Sequence, residues 1–332
     1  MRHSLILSLL TLATASQLPR PGPTVDSNLY GGDCTRERLQ TRKEWRNLDR
    51  SQQEAYLDAV QCLIDLPGET GMAYTTSRWS DLQALHRYYT NTEYGDVIHN
   101  VVRTGQFLPW HRYLLHILET LLRTECGYEG PMVWWNEQAD ADTGDLFRSP
   151  MWHDDSFGGD GTEPANCVTD GRFADLTQYI GPLDNNTERC LEREWDNALG
   201  IRNVNSTKVG QCFDLTGYTP FWQCVASYPH KGVHEAVGGL MADVKASPGD
   251  PMFYIHHAFI DRLWYTWQMV DPDSRLFAMG GTSVNHTDLP TPAEGWPETT
   301  LEYQLESYEI LPGVTVEDVM NPVGGYLCYE YD

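Results

Sequence analysis

The chain has 332 residues, of which 41% are hydrophobic and 21% charged, so it can bury a sizeable core and its composition excludes a mainly disordered chain. Its formal net charge is -24, and so acidic a surface repels phosphate backbones, which excludes nucleic acid and anionic membranes as partners. No stretch reaches the roughly 18 continuous apolar residues of a membrane span.

The N-terminus has the pattern of a secretory signal peptide. Arg2 and His3 form a basic start, Leu5–Leu12 is an apolar run too short to cross a bilayer, and Ala13–Ala15 fits a small-residue cleavage site. We therefore predict a signal peptide over residues 1–15, one domain over residues 16–332 and a secreted protein. A buried N-terminal helix is the alternative.

Secretion predicts oxidised cysteines. The chain has eight, an even number that allows four disulfides, but about a hundred pairings fit and the connectivity stays open. Three glycosylation sequons, at Asn185, Asn205 and Asn285, agree with export.

The pattern along the chain is mainly helical. Helices are predicted over residues 33–65, 79–89, 109–124, 228–241 and 251–270. Pro109 suits a first turn and Gly127 a helix end. Long loops with short helices, held by four cysteines, are predicted for residues 139–225, and some strand for 314–316 and 326–331.

Histidines gather in two regions. His230 and His234 are four apart on a predicted helix, so both rings face one side and can grip one ion. His257 on the next helix is the candidate third ligand, and Asp261, four residues on, can receive a ring N–H. His256 points about 100° away and is expected to support the site or pack in the core.

The earlier histidines surround one predicted helix. His111 projects from its first turn, whereas His116 lies about 140° further round and is expected to be a packed histidine. His86 and His99 precede this helix and are the remaining candidates. Ordinary core or surface histidines are the alternative to ligation at every one of these positions.

Several segments together resemble one family. FLPWHRYLLHILE and HKGVHEAVGGLMADVKASPGDPMFYIHHAFIDRLWYTWQ look like the two copper signatures of the tyrosinase, catechol oxidase and haemocyanin superfamily. ECGYEGPMVWWNEQADAD and SFGGDG resemble its short secreted fungal members, and Tyr329-Glu330-Tyr331 looks like the motif that closes the core domain.

The resemblance implies a four-helix bundle that holds two copper ions, with long disulfide-linked loops. It assigns His230, His234 and His257 to the second metal and His86, His99 and His111 to the first. His99 lies eight residues before Phe107, further than the family places its middle histidine, which we interpret as a small insertion. Val97 stands where some members carry a thioether-forming cysteine, so no such bridge is expected.

The implied activity is oxidation of catechols or related phenols to o-quinones with dioxygen, on a small aromatic substrate. Lys231 stands where members that hydroxylate monophenols often carry Asn, which favours a diphenol oxidase, and Val244 matches the gating position. Two alternatives remain: a zinc-bound, non-oxidative enzyme of fungal secondary metabolism (cyclopenase-like), and an oxygen-binding, haemocyanin-like protein. The oligomeric state does not follow from the sequence.

Overall fold

The computed structural model describes residues 27–90, 104–284 and 293–332. The helices are Arg50–Asp65 (α1), Arg78–Thr90 (α2), Phe107–Cys126 (α3), Glu137–Asp142 (α4), Asn197–Val204 (α5), Ser206–Phe213 (α6), Tyr218–Val225 (α7), Lys231–Val237 (α8), Met252–Val270 (α9), Pro272–Arg275 (α10) and Val316–Met320 (α11). The strands are Gln40–Glu44 (β1), Val133–Trp134 (β2), Gly161–Thr162 (β3), Cys167–Val168 (β4), Thr177–Gln178 (β5), Arg189–Cys190 (β6), Gln304–Leu305 (β7), Val314–Thr315 (β8) and Tyr329–Tyr331 (β9).

Four of these helices form a bundle and, together with the turn that ends at His230, carry the site histidines that the structure describes. The four helices are α2, α3, α8 and α9. Helix α3 packs along α9 and against α1, and α2 contacts α1 and the turn Ser247–Gly249 that precedes α9. The predicted mainly helical bundle with long loops is thereby confirmed. None of the helices in the described part of the chain combines the length and hydropathy needed to cross a membrane.

The first predicted helix was too long. Residues 33–49 are not α-helical: β1 lies there, as the middle strand of a sheet in which β2 and β9 both run parallel to it. The helix starts only at Arg50, where the Asp49 side chain caps it in a capping box with Gln52. The prediction of a helix here was wrong because hydrophobic periodicity reflects only neighbouring residues. The strands that pair with β1 are distant from it in sequence.

Three of the four helices predicted around the site are confirmed, those over residues 79–89, 109–124 and 251–270. Helix α3 begins at Phe107, two residues before Pro109, and ends at Gly127, whose φ of 64° only glycine adopts at little cost. The predicted helix over 228–241 is instead a wide π-type turn over Ala226–His230, followed by α8 and a short turn over Gly239–Ala242.

Disulfides hold the loops and both ends of the described chain. They join Cys34 to Cys328, Cys62 to Cys126, Cys167 to Cys190, and Cys212 to Cys224. The first closes beside β9, and the second links α1 to the end of α3. The last two lie in the region of short helices and two-residue hairpins that was predicted as loops.

The structure describes two of the three predicted glycosylation sites and leaves the predicted signal peptide untested. The predicted signal peptide and the sequon at Asn285 lie outside the described residues. Asn185 is exposed in a loop. Asn205 is half-buried, where its side chain caps α6 and donates to the Ile201 carbonyl at 2.7 Å.

Candidate metal centre

The second site, defined as His230, His234 and His257, is built by a proline-containing turn. Pro229 has no N–H and its ring crowds the carbonyl four residues back, which accounts for the widened turn that ends at His230. His234 follows one turn later on α8, with ring centroids 4.6 Å apart. His257 on α9 completes the group, its Nε2 lying 3.3 Å from the His234 Nε2.

The first site, described here by His86 and His111, lies on α2 and α3. The ring centroids of these residues are 5.8 Å apart. Its third predicted ligand, His99, lies outside the described residues, as does Val97. His116, expected to be a packed histidine, contacts Tyr326 with ring centroids at 4.9 Å and takes no part in this group.

The two sites form one cluster. The His111 ring stacks on His257, with centroids 4.3 Å apart and planes inclined by 9°. Phe253 packs against rings of both sites, 5.2 Å from the His86 ring and 4.1 Å from the His257 ring. The structure therefore brings together the five predicted ligands that it describes.

Backbone carbonyls orient three of the rings. The Nδ1 of His86 faces the Lys245 carbonyl at 3.3 Å, that of His111 the Phe107 carbonyl at 2.9 Å, and that of His234 the Met241 carbonyl at 2.7 Å. A carbonyl oxygen only accepts hydrogen bonds, so these rings carry their proton on Nδ1, and Nε2 is the nitrogen with the lone pair.

Burial keeps the rings neutral. It lowers the pKa of His86 to about 3 and that of His234 to about 4. It also lowers the pKa of His111 and His257 well below the ordinary value, and neighbouring histidines add to the effect. Neutral imidazole is the form that binds metal ions.

The residues present fit a transition metal. The donor set is imidazole throughout, which suits copper and zinc rather than magnesium or calcium. The Nε2 atoms of His234 and His257 face each other at 3.3 Å, inside a group of ring nitrogens that lie within 4.8 Å of one another. Two lone pairs turned toward each other in a buried site are costly unless something binds them, which a metal ion would do.

His256 lies closer to the site than the sequence suggested. One nitrogen of each of four rings, those of His230, His234, His256 and His257, lies within 4.8 Å of the others. The His256 Nδ1 contacts Glu137 Oε1 at 2.6 Å, and both side chains are fully buried. Burial raises the pKa of Glu137 well above its ordinary value and lowers that of His256 well below it.

Asp261 does not support a histidine ring, contrary to the prediction. Its carboxylate accepts hydrogen bonds from Arg112 at 2.6 Å, Tyr329 at 2.6 Å and Tyr331 at 2.7 Å, and pairs with Arg42 at 3.3 Å. Burial acts to raise the pKa of Asp261, but the two guanidinium groups and the tyrosine hydroxyls outweigh it and lower this pKa. Full cationic partners attract the carboxylate more strongly than a neutral imidazole does.

A cavity of about 110 Å³ opens beside both sites. It is lined by His86, His230, Lys231, His234, Glu235, Met241, Ala242, Val244 and Ser247. Both predicted substrate-contacting residues, Lys231 and Val244, are thus at the cavity, and Val244 is 46% exposed. The Lys231 Nζ lies 3.3 Å from a Glu235 carboxylate oxygen.

Sequence reasoning missed three contributors to this centre. They are Glu137, Glu235 and Phe253. The spacing of four between Lys231 and Glu235 was a readable signal for an ion pair on a helix. Glu137 gave none, because 119 residues separate it from His256.

Comparison with known proteins agrees with this geometry. The sequence matches the family model for the common central domain of tyrosinase over residues 76–270. It is 31% identical to the tyrosinase-like protein phomQ1' of Diaporthe leptostromiformis, over 88% of this chain and 79% of that one. It is 32% identical to the N-acetyl-6-hydroxytryptophan oxidase ivoB of Emericella nidulans, over 90% and 94%.

A solved structure shows the same likeness. A mutant polyphenol oxidase from Thermothelomyces thermophila superposes with a TM-score of 0.79 and 26% sequence identity, over 91% of each chain. The matched family region extends from just before α2 to the end of α9, and so contains all five described candidate ligands.

Proposed function

The chain belongs to the tyrosinase family, and we propose that it uses dioxygen at a pair of copper ions to oxidise o-diphenols or related phenols to o-quinones. One observation carries the proposal: His86 and His111 meet His230, His234 and His257 in a single buried cluster of imidazole rings. Three imidazoles for each ion would leave open positions for the reactants.

The first site would hold one ion with His86, His111 and, by prediction, His99, and the second would hold the other with His230, His234 and His257. When bound, a copper pair supplies the redox chemistry that carries electrons from the phenol to dioxygen. The protein fixes the orientation of the rings through the carbonyls of Phe107, Met241 and Lys245. It also buries these rings inside the fold.

The cavity at the centre suits a small aromatic substrate. Its volume of about 110 Å³ is near the roughly 150 Å³ of an apolar cavity known to bind benzene. Val244 borders it, and Met241 and Ala242 add apolar wall. A ring that enters here reaches His86 and His234, which belong to different sites, so its two oxygens can face both metal positions.

We propose diphenols rather than monophenols as the preferred substrates. A monophenol has to lose its proton before it is hydroxylated, and the ammonium of Lys231 offers no acceptor. The one carboxylate that lines the cavity within the described residues is that of Glu235, and Lys231 already pairs with it. We therefore expect turnover of catechols without a lag and little action on tyrosine.

A zinc enzyme without redox chemistry is the second candidate. The four-histidine group that includes His256 favours it, because four imidazoles match the tetrahedral preference of zinc. Zinc accepts the same ligands but does not change oxidation state, so such a protein would rearrange or hydrolyse its substrate.

Metal content and oxygen uptake separate these functions. The full chain is produced in a secreting host, copper and zinc are measured per chain by elemental analysis, and oxygen consumption is followed with 4-methylcatechol and with tyrosine. Two coppers with catechol turnover support the proposal. Zinc without copper supports the second candidate, and two coppers with reversible oxygen binding but no turnover indicate an oxygen carrier.

We also propose that the chain is exported. All eight cysteines are paired, which suits an oxidising compartment. The exposed Asn185 is the better glycan acceptor, since Asn205 uses its amide to cap α6. The test is the intact mass of the protein recovered from the culture medium, measured before and after glycosidase treatment. A chain that stays inside the cell, carries no glycan and retains residues 1–15 would contradict the proposal.

A further inference from the structure

We propose that Glu137 and His256 form a positioning pair that holds the rings of the second site in the orientation that binds metal. This inference rests on the proposed function in that it assumes a metal at the second site, but it does not depend on which metal that is. The side chains meet through one hydrogen bond of 2.6 Å between Glu137 Oε1 and His256 Nδ1.

The His256 ring contacts every ring of the second site. It stacks on His230, with centroids 5.5 Å apart and planes inclined by 24°. It meets His234 edge-on at 4.8 Å and His257 at 5.2 Å. A rotation of the His256 ring would therefore displace all three, so whatever fixes this ring also fixes the site.

Glu137 is well placed to fix it. It is the first residue of α4, which follows β2 of the parallel sheet and is capped by Asn136. The next turn of α4 is held by Asp140, which accepts from the Trp135 indole and pairs with Arg46. The carboxyl group is thus attached to a rigid part of the fold outside the bundle, and its bond to His256 ties that part to α9.

Stability does not explain this pair. Both side chains are fully buried, and Glu137 Oε2 has no hydrogen-bond partner among the described residues. Burying a carboxyl group and an imidazole in this way costs free energy that an apolar pair of similar volume would not. Carboxylate–histidine contacts beside metals serve a different purpose, since they orient rings, and their loss weakens metal binding.

The test compares metal affinity with stability. Glu137→Leu removes the hydrogen bond but buries well, whereas Glu137→Gln can donate to or accept from His256 Nδ1. For each full-length variant we measure metal dissociation against a chelator, the X-ray absorption spectrum of the loaded metal at its own edge, and the melting temperature of the metal-free protein. Gln138→Leu, whose side chain bonds Ser206 instead, is the matched control.

We expect Glu137→Leu to weaken metal binding by about 10- to 100-fold and to change the spectrum, without lowering the melting temperature of the metal-free protein. Glu137→Gln and Gln138→Leu should stay close to the native affinity. Native affinity and spectrum in Glu137→Leu would overturn the proposal. So would a lowered melting temperature with unchanged metal affinity, which a merely structural role predicts.

A double-mutant cycle with His256→Phe completes the test, and if Glu137→Leu alone does not fold, the double variant is compared with His256→Phe. If Glu137 acts through His256, the apolar double variant loses no more affinity than either single variant. Additive losses, or a far larger loss in His256→Phe than in Glu137→Leu, would make His256 a ligand and overturn the proposal. Finding zinc instead of copper refutes the oxidase function but leaves this comparison valid.

Discussion

Arg112 and Asp261 are joined by a hydrogen bond of 2.6 Å between the guanidinium Nε and a carboxylate oxygen, and both side chains are buried. Arg112 follows His111 of the first site, and Asp261 lies one helical turn after His257 of the second. The bond therefore links α3 to α9 next to the metal centre. Arg112 also packs on α9 through the Trp264 ring, with its guanidinium carbon 3.7 Å from the ring centroid.

Asp261→Asn should lower the free energy of unfolding at pH 7 by about 3 to 5 kcal/mol, because it leaves the buried guanidinium of Arg112 without its counter-charge. The pKa of Asp261 is lowered in the folded state, so its contribution is present above the unfolded pKa of about 3.9 and is lost as the pH falls through the folded value. Urea unfolding measures the free energy of unfolding of the variant and the native protein at pH 7 and at pH 3. We expect the difference between the two proteins to be smaller at pH 3. Exposed Glu317→Gln is the control, and a constant difference would contradict the account.

The metal-free protein should lose stability on mild acidification. His86 and His234 have folded pKa values of about 3 and about 4, below the unfolded value of about 6.5. Their contribution is complete above pH 6.5 and falls as the pH drops toward the folded values, by about 1.4 kcal/mol per pH unit for each ring. Denaturant unfolding of the chelator-treated protein between pH 7 and 5 gives the slope of the unfolding free energy against pH. His234→Gln should reduce this slope. The control His153→Gln, at an exposed position, should leave it unchanged.

Single ligand substitutions should remove one metal position at a time. His86→Ala is expected to lower the metal content from two ions to about one and to spare the second site, and His234→Ala the reverse, because the two histidines lie on different helices of the bundle. Elemental analysis of each purified variant gives the count. His116→Phe, whose ring packs on Tyr326, should keep both ions. Loss of metal there would mean that the ligand assignment is wrong.

Val244→Phe should narrow the cavity entrance. We expect KM for 4-tert-butylcatechol to rise several-fold with kcat nearly unchanged, since Val244 borders the cavity but holds no ligand ring. Unsubstituted catechol should be affected less. Steady-state kinetics on both substrates tests this, with Val270→Phe on an exposed position at the end of α9 as the control. An equal fall in kcat for both substrates would place Val244 in a different role.

The disulfides should differ in how much each contributes to the free energy of unfolding. Cys34 and Cys328 are separated by 294 residues, Cys212 and Cys224 by 12. In the chain-entropy estimate, removing the first pair costs about 5 to 6 kcal/mol and the second about 3. Denaturant unfolding of the two double Cys→Ser variants compares them directly. Equal losses would show that local packing, rather than loop length, determines their contribution.

The histidine pattern shows which parts of the site could be predicted from the sequence. The spacing of His230 and His234, the run before His257 and the segment around His111 led to the helices that carry them and to the family, because ligand spacing on a helix is a local property. The same local rules failed at residues 33–49, where β1 depends on β9 and β2, and at Asp261, whose partners Arg112 and Arg42 lie on other elements.

By itself, then, the sequence determined the helical class of the bundle and the chemistry of its ligands, since both follow from residue types at fixed spacing along one helix. The tertiary structure decided which distant groups complete the centre. Glu137 meets His256, Phe253 packs against both sites, and the carbonyls of Lys245 and Met241 orient rings on other segments. These contacts depend on how elements pack in space, and burial, which makes each of them strong, exists only once the chain has folded.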